Sequence, residues 1–448
     1  MNILVLNGSP KGEHSITLQT IRYLEKKFPE TKFDVLHVGQ KIKSMERDFS
    51  AAKSAVEKAD MLLFSYPVYT FIAPCQLHRF IELMKDHKVA VRGKLATQIT
   101  TSKHFYDTTA HRYIQDNAQE MGIHFLRGLS ADMEDLTTEK GRTEAENWWK
   151  HLLWSAEKGY FEPCFPADTA TPSVPVTVPE EDFDGKKGDV VIIADLLPED
   201  NQLADMISRF RSKLPYATRV VNIREYPFNG GCLGCFRCAV SGKCVHKDGF
   251  DDFLRNQIQT ADSMIYAFTI RDHSMGSRFK MYDDRQFCNG HRTVTIGMPV
   301  GYLISGHLSR EENLRTIIEG RAQVGSNILA GIATDEWDTD AAIDRLADSL
   351  AYALENKNTT PQNFYGVGGM KIFRDLIYQM RGFMRADHKF FKSHGQYDFP
   401  QKKWAQSLAM YLVGAMIANP KLHNKIGSQM TEGMLMPYKK VLEDMDKK

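Results

Sequence analysis

Four of the chain's seven cysteines fall in one stretch, GGCLGCFRCAVSGKC at 230–244. Cys232, Cys235, Cys238 and Cys244 follow a C-x2-C-x2-C-x5-C spacing. Thiolates separated by two residues can converge on one centre, and four of them meet the demand of an iron–sulfur cluster. Zinc is also thiophilic, but its sites usually come as two separated C-x2-C pairs. A thiol redox pair needs only two of the four. Three uses therefore stay open: ligands of a 4Fe–4S cluster, reduced or redox-active thiols, and zinc or structural ligands. Cys75 and Cys288 are single, and Cys75, on an amphipathic helical stretch, is expected simply to pack.

A second stretch with chemical potential opens the chain. NILVLNGSPKGEHSIT sets a turn of small residues between an apolar run and the start of helical spacing. Amides and hydroxyls in such a turn, aided by the helix dipole, can surround a phosphate. Ser9, Ser15 and Thr17 supply hydroxyls, and Gly8 and Gly12 allow close approach. Neither GK[ST] nor GxGxxG is present, so the loop is not that of a nucleoside triphosphatase or a dinucleotide fold. Further on, SYPVYTFIAP offers the flat faces of Tyr66, Tyr69 and Phe71, and TTSKHFYD follows at 100–107. A phosphate cradle beside two such loops suits flavin mononucleotide (FMN). His104 and Tyr106 are the candidate proton donors to a reduced substrate.

These loops need a scaffold that brings strand ends together. Strands are expected at 2–7, 33–38, 61–65, 95–100 and 123–129, alternating with helices at 16–27, 50–58, 75–84 and 106–121. That alternation predicts an α/β fold with a doubly wound parallel sheet, whose loops meet at the carboxyl ends of the strands. Residues 161–188 carry Pro163, Pro166, Pro172, Pro175 and Pro179 and read as a linker between a first domain, 1–160, and a second, 189–360. In the second half strands are expected at 189–195, 218–223, 264–269, 293–298 and 328–333, with helices at 201–214, 250–260 and 311–324. The plan repeats the first half, which predicts two similar domains in tandem. A mostly helical extension, 361–448, fits neither repeat. Its segment MRADHKFFKSHGQYDF is expected to cover the site, to mediate dimer packing or to form a solvated amphipathic helix, and its apolar run at 408–418 to bury against a domain or a second copy.

The halves differ in what they lack. No cysteine lies between Val38 and Ala52. After its first strand the second half reads DLLPEDNQLAD, where Asp195, Glu199, Asp200 and Asp205 would repel a phosphate. Its third-strand loop reads FTIRDHSMG, and Gly301–Gly306 is expected to retain part of the third loop. The second half is thus expected to bind no FMN of its own.

A net charge of +1 gives no global case for nucleic acid or anionic membrane. The start has no signal-peptide pattern, and the run at 408–418 is too short to span a bilayer, so a cytoplasmic protein is expected.

Residues 1–135 resemble the flavodoxin-like NAD(P)H-dependent FMN reductase family, through the GSP loop and the PVY loop. The resemblance implies FMN on Ser9, Pro10, Lys11, Gly12, His14, Ser15, Ile16 and Thr17. Pro67, Val68, Tyr69, Thr70 and Phe71 would flank the ring, with Thr101, Ser102 and Lys103 on its other side. CLGCFRCAVSGKCVHKD likewise resembles the insertion of iron–sulfur flavoproteins. The function implied is an FMN oxidoreductase linking NAD(P)H, or a ferredoxin-like donor, to a small-molecule acceptor. A non-catalytic electron carrier or thiol redox sensor is the alternative, and a zinc-stabilised scaffold the third. A homodimer and an internal pseudo-dimer are both open.

Overall fold

The computed structural model describes residues 1–163, 173–179, 186–357 and 362–418. The first sheet comprises β1 (Ile3–Asn7), β2 (Phe33–Leu36), β3 (Met61–Pro67), β4 (Leu95–Ser102), β5 (His124–Phe125) and β6 (Leu129–Asp132). Its order is β2-β1-β3-β4-β5, with β6 also on β4, and every pairing is parallel. The second sheet comprises β7 (Lys187–Ala194), β8 (Tyr216–Asn222), β9 (Ser263–Thr269), β10 (Pro299–Ser305) and β11 (Ile328–Thr334). Its order, β11-β10-β9-β7-β8, is also all parallel. Counted within each half, both sheets run 2-1-3-4-5, the flavodoxin order. The expected pair of α/β sheets is therefore present. Central strands such as ILVLN are buried throughout, which is why they read as unbroken apolar runs rather than alternating ones.

Several expectations need correction. The strand expected at 123–129 is split into β5 and β6. The strand expected at 293–298 is a turn: Gly297 sits at φ 78° and the chain enters β10 only at Pro299. Gly301–Gly306 is consequently the body and carboxyl end of β10. Four long helices lie outside the expected ones: Val38–Arg47, Glu139–Lys158, Thr339–Asn356 and Gly276–Arg285. The last buries Lys280, Asp283, Asp284 and Arg285, so it shows no apolar stripe.

Both sheets belong to one compact unit, Met1–Phe390, and the chain from Phe391 onward forms a second. In the first unit the halves meet through equivalent helices. Helix Cys75–Asp86, after β3, packs on helix Gly276–Arg285, after β9. Helix Asp107–Glu120, after β4, touches helix Glu312–Gly325, after β10. Like elements facing like is the mark of an isologous contact, here made within one chain. The contact is deeply buried. His78 Nδ1 lies 2.6 Å from Asp272 Oδ2, which also accepts from the Tyr113 hydroxyl at 2.8 Å. One cluster of buried apolar residues runs from Leu4 and Phe80 to Phe268 and Tyr302, joining the inner faces of both sheets.

From the linker, Pro163, Pro175 and Pro179 are described, whereas Pro166 and Pro172 lie outside the described residues. Val174 donates its amide to the Asp335 carbonyl at 2.9 Å, and Arg209 reaches the Thr177 carbonyl at 2.7 Å, so this piece lies along the second sheet's helices. In the second unit the described side chains of helix Trp404–Ile417 are exposed within this single chain, with Tyr411 80% accessible. The extension beyond 418 lies outside the described residues. Among the described residues no helix is long and apolar enough to cross a membrane.

At the rim of the contact between the halves, His273 stands between Glu311 (2.8 Å) and Glu120 (3.4 Å). Burial alone would lower the His273 pKa, but the two carboxylates outweigh it and raise the value from 6.5 to about 10. Hydrogen bonding to His273 is the main cause that lowers Glu120 from 4.5 to about 2. The raised histidine stabilises fully below pH 6.5 and loses that effect as pH rises through about 10. The depressed glutamate stabilises above pH 4.5 and loses that effect as pH falls through about 2. The latch is therefore strongest between pH 4.5 and 6.5. Thermal melts of the wild type and His273→Gln should converge as pH is raised from 6.5 to 10; parallel curves would contradict the assignment.

Candidate active site

The turn after β1 is shaped from beneath by Asn7. Its side chain accepts from the Ser9 amide at 3.2 Å and donates to the Gly12 carbonyl at 2.9 Å. Gly12 sits at φ 56°, and a Cβ there would come within 2.6 Å of Gln40 Oε1. Ser15 caps helix Ile16–Lys27 by accepting from the Leu18 amide. The remaining amides of that first turn lack intrahelical partners and face the mouth of the turn. Ser9, Lys11, Ser15, Ile16 and Thr17 line a cavity above it. Pro10, Gly12 and His14 belong to the same turn but do not line the cavity.

The loop after β3 holds unusual backbone. Thr70 and Phe71 have φ of 44° and 75°. A β-branched and a bulky residue in succession at positive φ are costly, about 1–3 kcal/mol each. Tyr69 and Ile72 close this turn through a pair of backbone hydrogen bonds. What holds it is the helix of the second half. Asp284 accepts from the Thr70 hydroxyl at 2.7 Å and from the Cys75 amide at 2.9 Å. Lys280 donates to the Tyr69 carbonyl at 2.8 Å and pairs with Asp284, all four side-chain neighbours being buried. Pro67, Val68, Tyr69 and Thr70 line the cavity, while Phe71 turns away into a neighbouring one.

Thr101, Ser102 and Lys103, at the end of β4, line the same cavity. The Thr101 hydroxyl is buried without a hydrogen-bond partner. His104 and Tyr106 do not line it. Both sit at positive φ, which turns their side chains aside. His104 faces Asp107 at 2.8 Å and its side chain is half exposed. Tyr106 donates to the Tyr365 carbonyl at 3.1 Å, and burial raises its pKa far from any use as an acid.

The opposite wall comes from the second half. Cys232, Cys235, Cys238 and Cys244 all line the cavity that the three loops of the first sheet enclose. Glycine is required for this closure. A Cβ on Gly231 would lie 2.2 Å from Cys75 Sγ, and one on Gly234, at φ 58°, 1.8 Å from the Tyr69 hydroxyl. Arg285 fixes the entry to the loop by donating to the Gly230 carbonyl and pairing with both oxygens of Asp248 at 2.7 and 2.8 Å. Three lining residues had no sequence signal. Cys288 is brought in by the short turn Gln286–Asn289. Phe373, on helix Phe364–Gln379, stacks on Phe105 with ring centroids 4.6 Å apart. His291, beside it, is held by Asp387 at 2.9 Å. The beginning of the helical extension thus closes the site.

Burial pushes the thiols up, Cys238 to about 11 and Cys288 to about 12, with Cys232 higher still. These groups are neutral thiols near pH 7, which makes them slow towards oxidants. Among the described residues no three His, Cys, Asp or Glu side chains converge as a metal ion requires. The motif as folded does not fit a single zinc ion.

The equivalent position in the second half is closed by ion pairs. Asp195 Oδ1 lies 2.6 Å from Arg224 Nε, and Asp200 lies 2.8 Å from Arg271. Two of the four carboxylates expected to repel a phosphate, Asp195 and Asp200, are instead matched by arginines of the same half.

Residues 1–132 match the family model described as NADPH-dependent FMN reductase. No curated protein matches the chain. Among solved structures it is similar to an NADPH-quinone reductase from P. pentosaceus, at 14% identity over 34% of this chain and 98% of that one, with a TM-score of 0.27. It is similar to general stress protein 14 from Treponema denticola, in complex with FMN, at 13% identity over 34% and 99%, TM-score 0.29. An NAD(P)H:quinone oxidoreductase from Methanothermobacter marburgensis is similar at 14% identity over 40% and 99%, TM-score 0.29. Over residues 1–132, less than a third of the chain, the sequence is thus similar to the NADPH-dependent FMN reductase family.

Gly234→Ala should destabilise the protein by about 1–3 kcal/mol more than Gly159→Ala. Both glycines have positive φ, but nothing lies within 4 Å of a Cβ at Gly159. Equal losses in chemical denaturation would show that the cysteine loop does not press on Tyr69.

Proposed function

We propose that this chain is an FMN oxidoreductase with a single flavin site built from both halves. The observation that carries this reading is the shared cavity: three strand-end loops of the first sheet and the cysteine loop of the second enclose one space. The residues fit the cofactor. The turn at Ser9–Thr17 offers hydroxyls, amides and the Lys11 ammonium to a phosphate, at the start of a 12-residue helix. The orphaned Thr101 hydroxyl has a partner to gain from a polar ring edge. Bound FMN would exchange a hydride with NAD(P)H and release electrons to a small-molecule acceptor. The protein's own contribution is to hold and orient. Tyr69 and the Pro67–Val68 edge set the ring plane, while Phe373 and the cysteine loop keep water from it.

Ser15→Ala combined with Thr17→Val should weaken FMN binding roughly tenfold or more, at about 1.4 kcal/mol per tenfold step. Fluorescence titration of the purified protein reads this directly, and NADPH oxidation should fall with flavin occupancy. Protein that takes up no FMN would sink the proposal.

A second reading places a 4Fe–4S cluster on Cys232, Cys235, Cys238 and Cys244, with a ferredoxin-like protein as donor. What favours it is the four-cysteine spacing on one cavity wall. A cluster carries its own inorganic core and so spaces its thiolates more widely than one ion does. Anaerobically purified protein with stoichiometric iron and acid-labile sulfide, both lost in Cys238→Ser, supports it; iron-free protein with full NADPH oxidation excludes it.

A further inference from the structure

A second cavity, of about 150 Å³, lies between the halves and serves no step above. Tyr266 and Tyr302, from the middle of β9 and β10, form one side, Phe71 and Phe105 another, and Arg321 the end. Met264 and Val300, near the amino ends of the same strands, also line it. Flavodoxin-type cofactors sit beyond the carboxyl ends, so this is not a cofactor position of the second sheet. Thr70, Phe105, Phe287, His291 and Phe373 line both cavities, which leaves one side chain's thickness between them.

The cavity gathers donors that the protein does not use. Arg321 spends one nitrogen on Asp283 at 2.6 Å, and its guanidinium lies 5.6 Å from the Phe71 ring. Its other N–H groups make no hydrogen bond among the described residues. The Tyr302 hydroxyl makes none either, and that of Tyr266 has only Met264 sulfur at 3.9 Å. Both tyrosines are nearly inaccessible to bulk water, at 4% and 6%, and burial raises their pKa, so they remain neutral donors. Buried donors in an aromatic-lined space favour a ligand that supplies acceptors. Its charge is constrained as well. Lys280 and Arg321 are matched by Asp283 and Asp284, and Arg292, which also lines the cavity, is matched by Asp387, so no surplus positive charge remains for an anion. Size sets the last limit, since an apolar cavity of ~150 Å³ accommodates a benzene ring.

We infer that this cavity binds an uncharged, single-ring aromatic compound bearing a carbonyl-type oxygen. The ring lies among Phe71, Phe105 and Tyr266, and the oxygen accepts from both Arg321 and the Tyr302 hydroxyl. Binding does not depend on FMN, so it stands or falls separately from the flavin reading.

Calorimetric titration of the full chain with benzamide tests it, with benzoate as the charged isostere. Benzamide is expected to bind one to one, and benzoate roughly tenfold or more weaker, the factor one lost hydrogen bond or a poorly solvated charge produces. Tyr302→Phe, which deletes only a hydroxyl the protein leaves unpaired, is expected to weaken benzamide by a similar factor while FMN affinity and melting temperature hold. No benzamide binding in the millimolar range, benzoate binding as tightly as benzamide, or an unchanged benzamide affinity in Tyr302→Phe would each overturn the inference.

Discussion

The buried pair Lys280–Asp284 is the contact on which the site depends. Two residues of the loop after β3, Thr70 and Phe71, adopt a backbone that neither side chain favours. Such a turn persists only when its surroundings hold every group in it. Here the groups that do so, Asp284 on the Thr70 hydroxyl and Lys280 on the Tyr69 carbonyl, come from the other half of the chain. Neither charge could be buried alone, and each therefore requires the other as well as the loop. The loop after β3 in the first sheet is thus held by a helix of the second.

That dependence gives a physical meaning to the tandem repeat. Equivalent helices meet equivalent helices, and we propose that the chain is an internal pseudo-dimer. A symmetric dimer would carry two matching sites. In the function proposed above this one has specialised: the first half would supply the phosphate turn, and the second supplies the cysteine loop on the opposite wall of the same cavity. At the mirror position Arg224 and Arg271 neutralise Asp195 and Asp200. Charges that could have disrupted the fold instead pin it. One site in place of two permits its two walls to diverge in sequence, since no residue has to serve both roles.

The parts of this arrangement that were legible in the sequence are those with a local cause. Buried parallel strands read as apolar runs, and the GSP turn announces itself by small residues between a strand and a helix. The cysteine spacing marked its loop, although not what the thiols do. The rest depends on distant contacts. Helix Gly276–Arg285 has polar residues on its buried face because they answer charges in the other half, so its periodicity is invisible. Thr293–Met298 has the β-branched alternation of a strand, but Gly297 and Pro299 set a turn there and the strand starts later. His104 belongs to a loop that reaches the cavity, but its own side chain pairs with Asp107 and does not line it. Cys288 and Phe373, far away in the chain, reach the cavity only through the fold.

The most direct test is the FMN dissociation constant of Asp284→Asn, a residue well removed from the phosphate turn. Asparagine keeps the size and one acceptor but deprives Lys280 of its counter-charge. If the second half shapes the flavin loop, the protein stays folded by circular dichroism and its FMN affinity falls by roughly tenfold or more, at about 1.4 kcal/mol per tenfold step. An affinity equal to that of the wild type would contradict the account, because the loop would then hold its form without the helix that grips it.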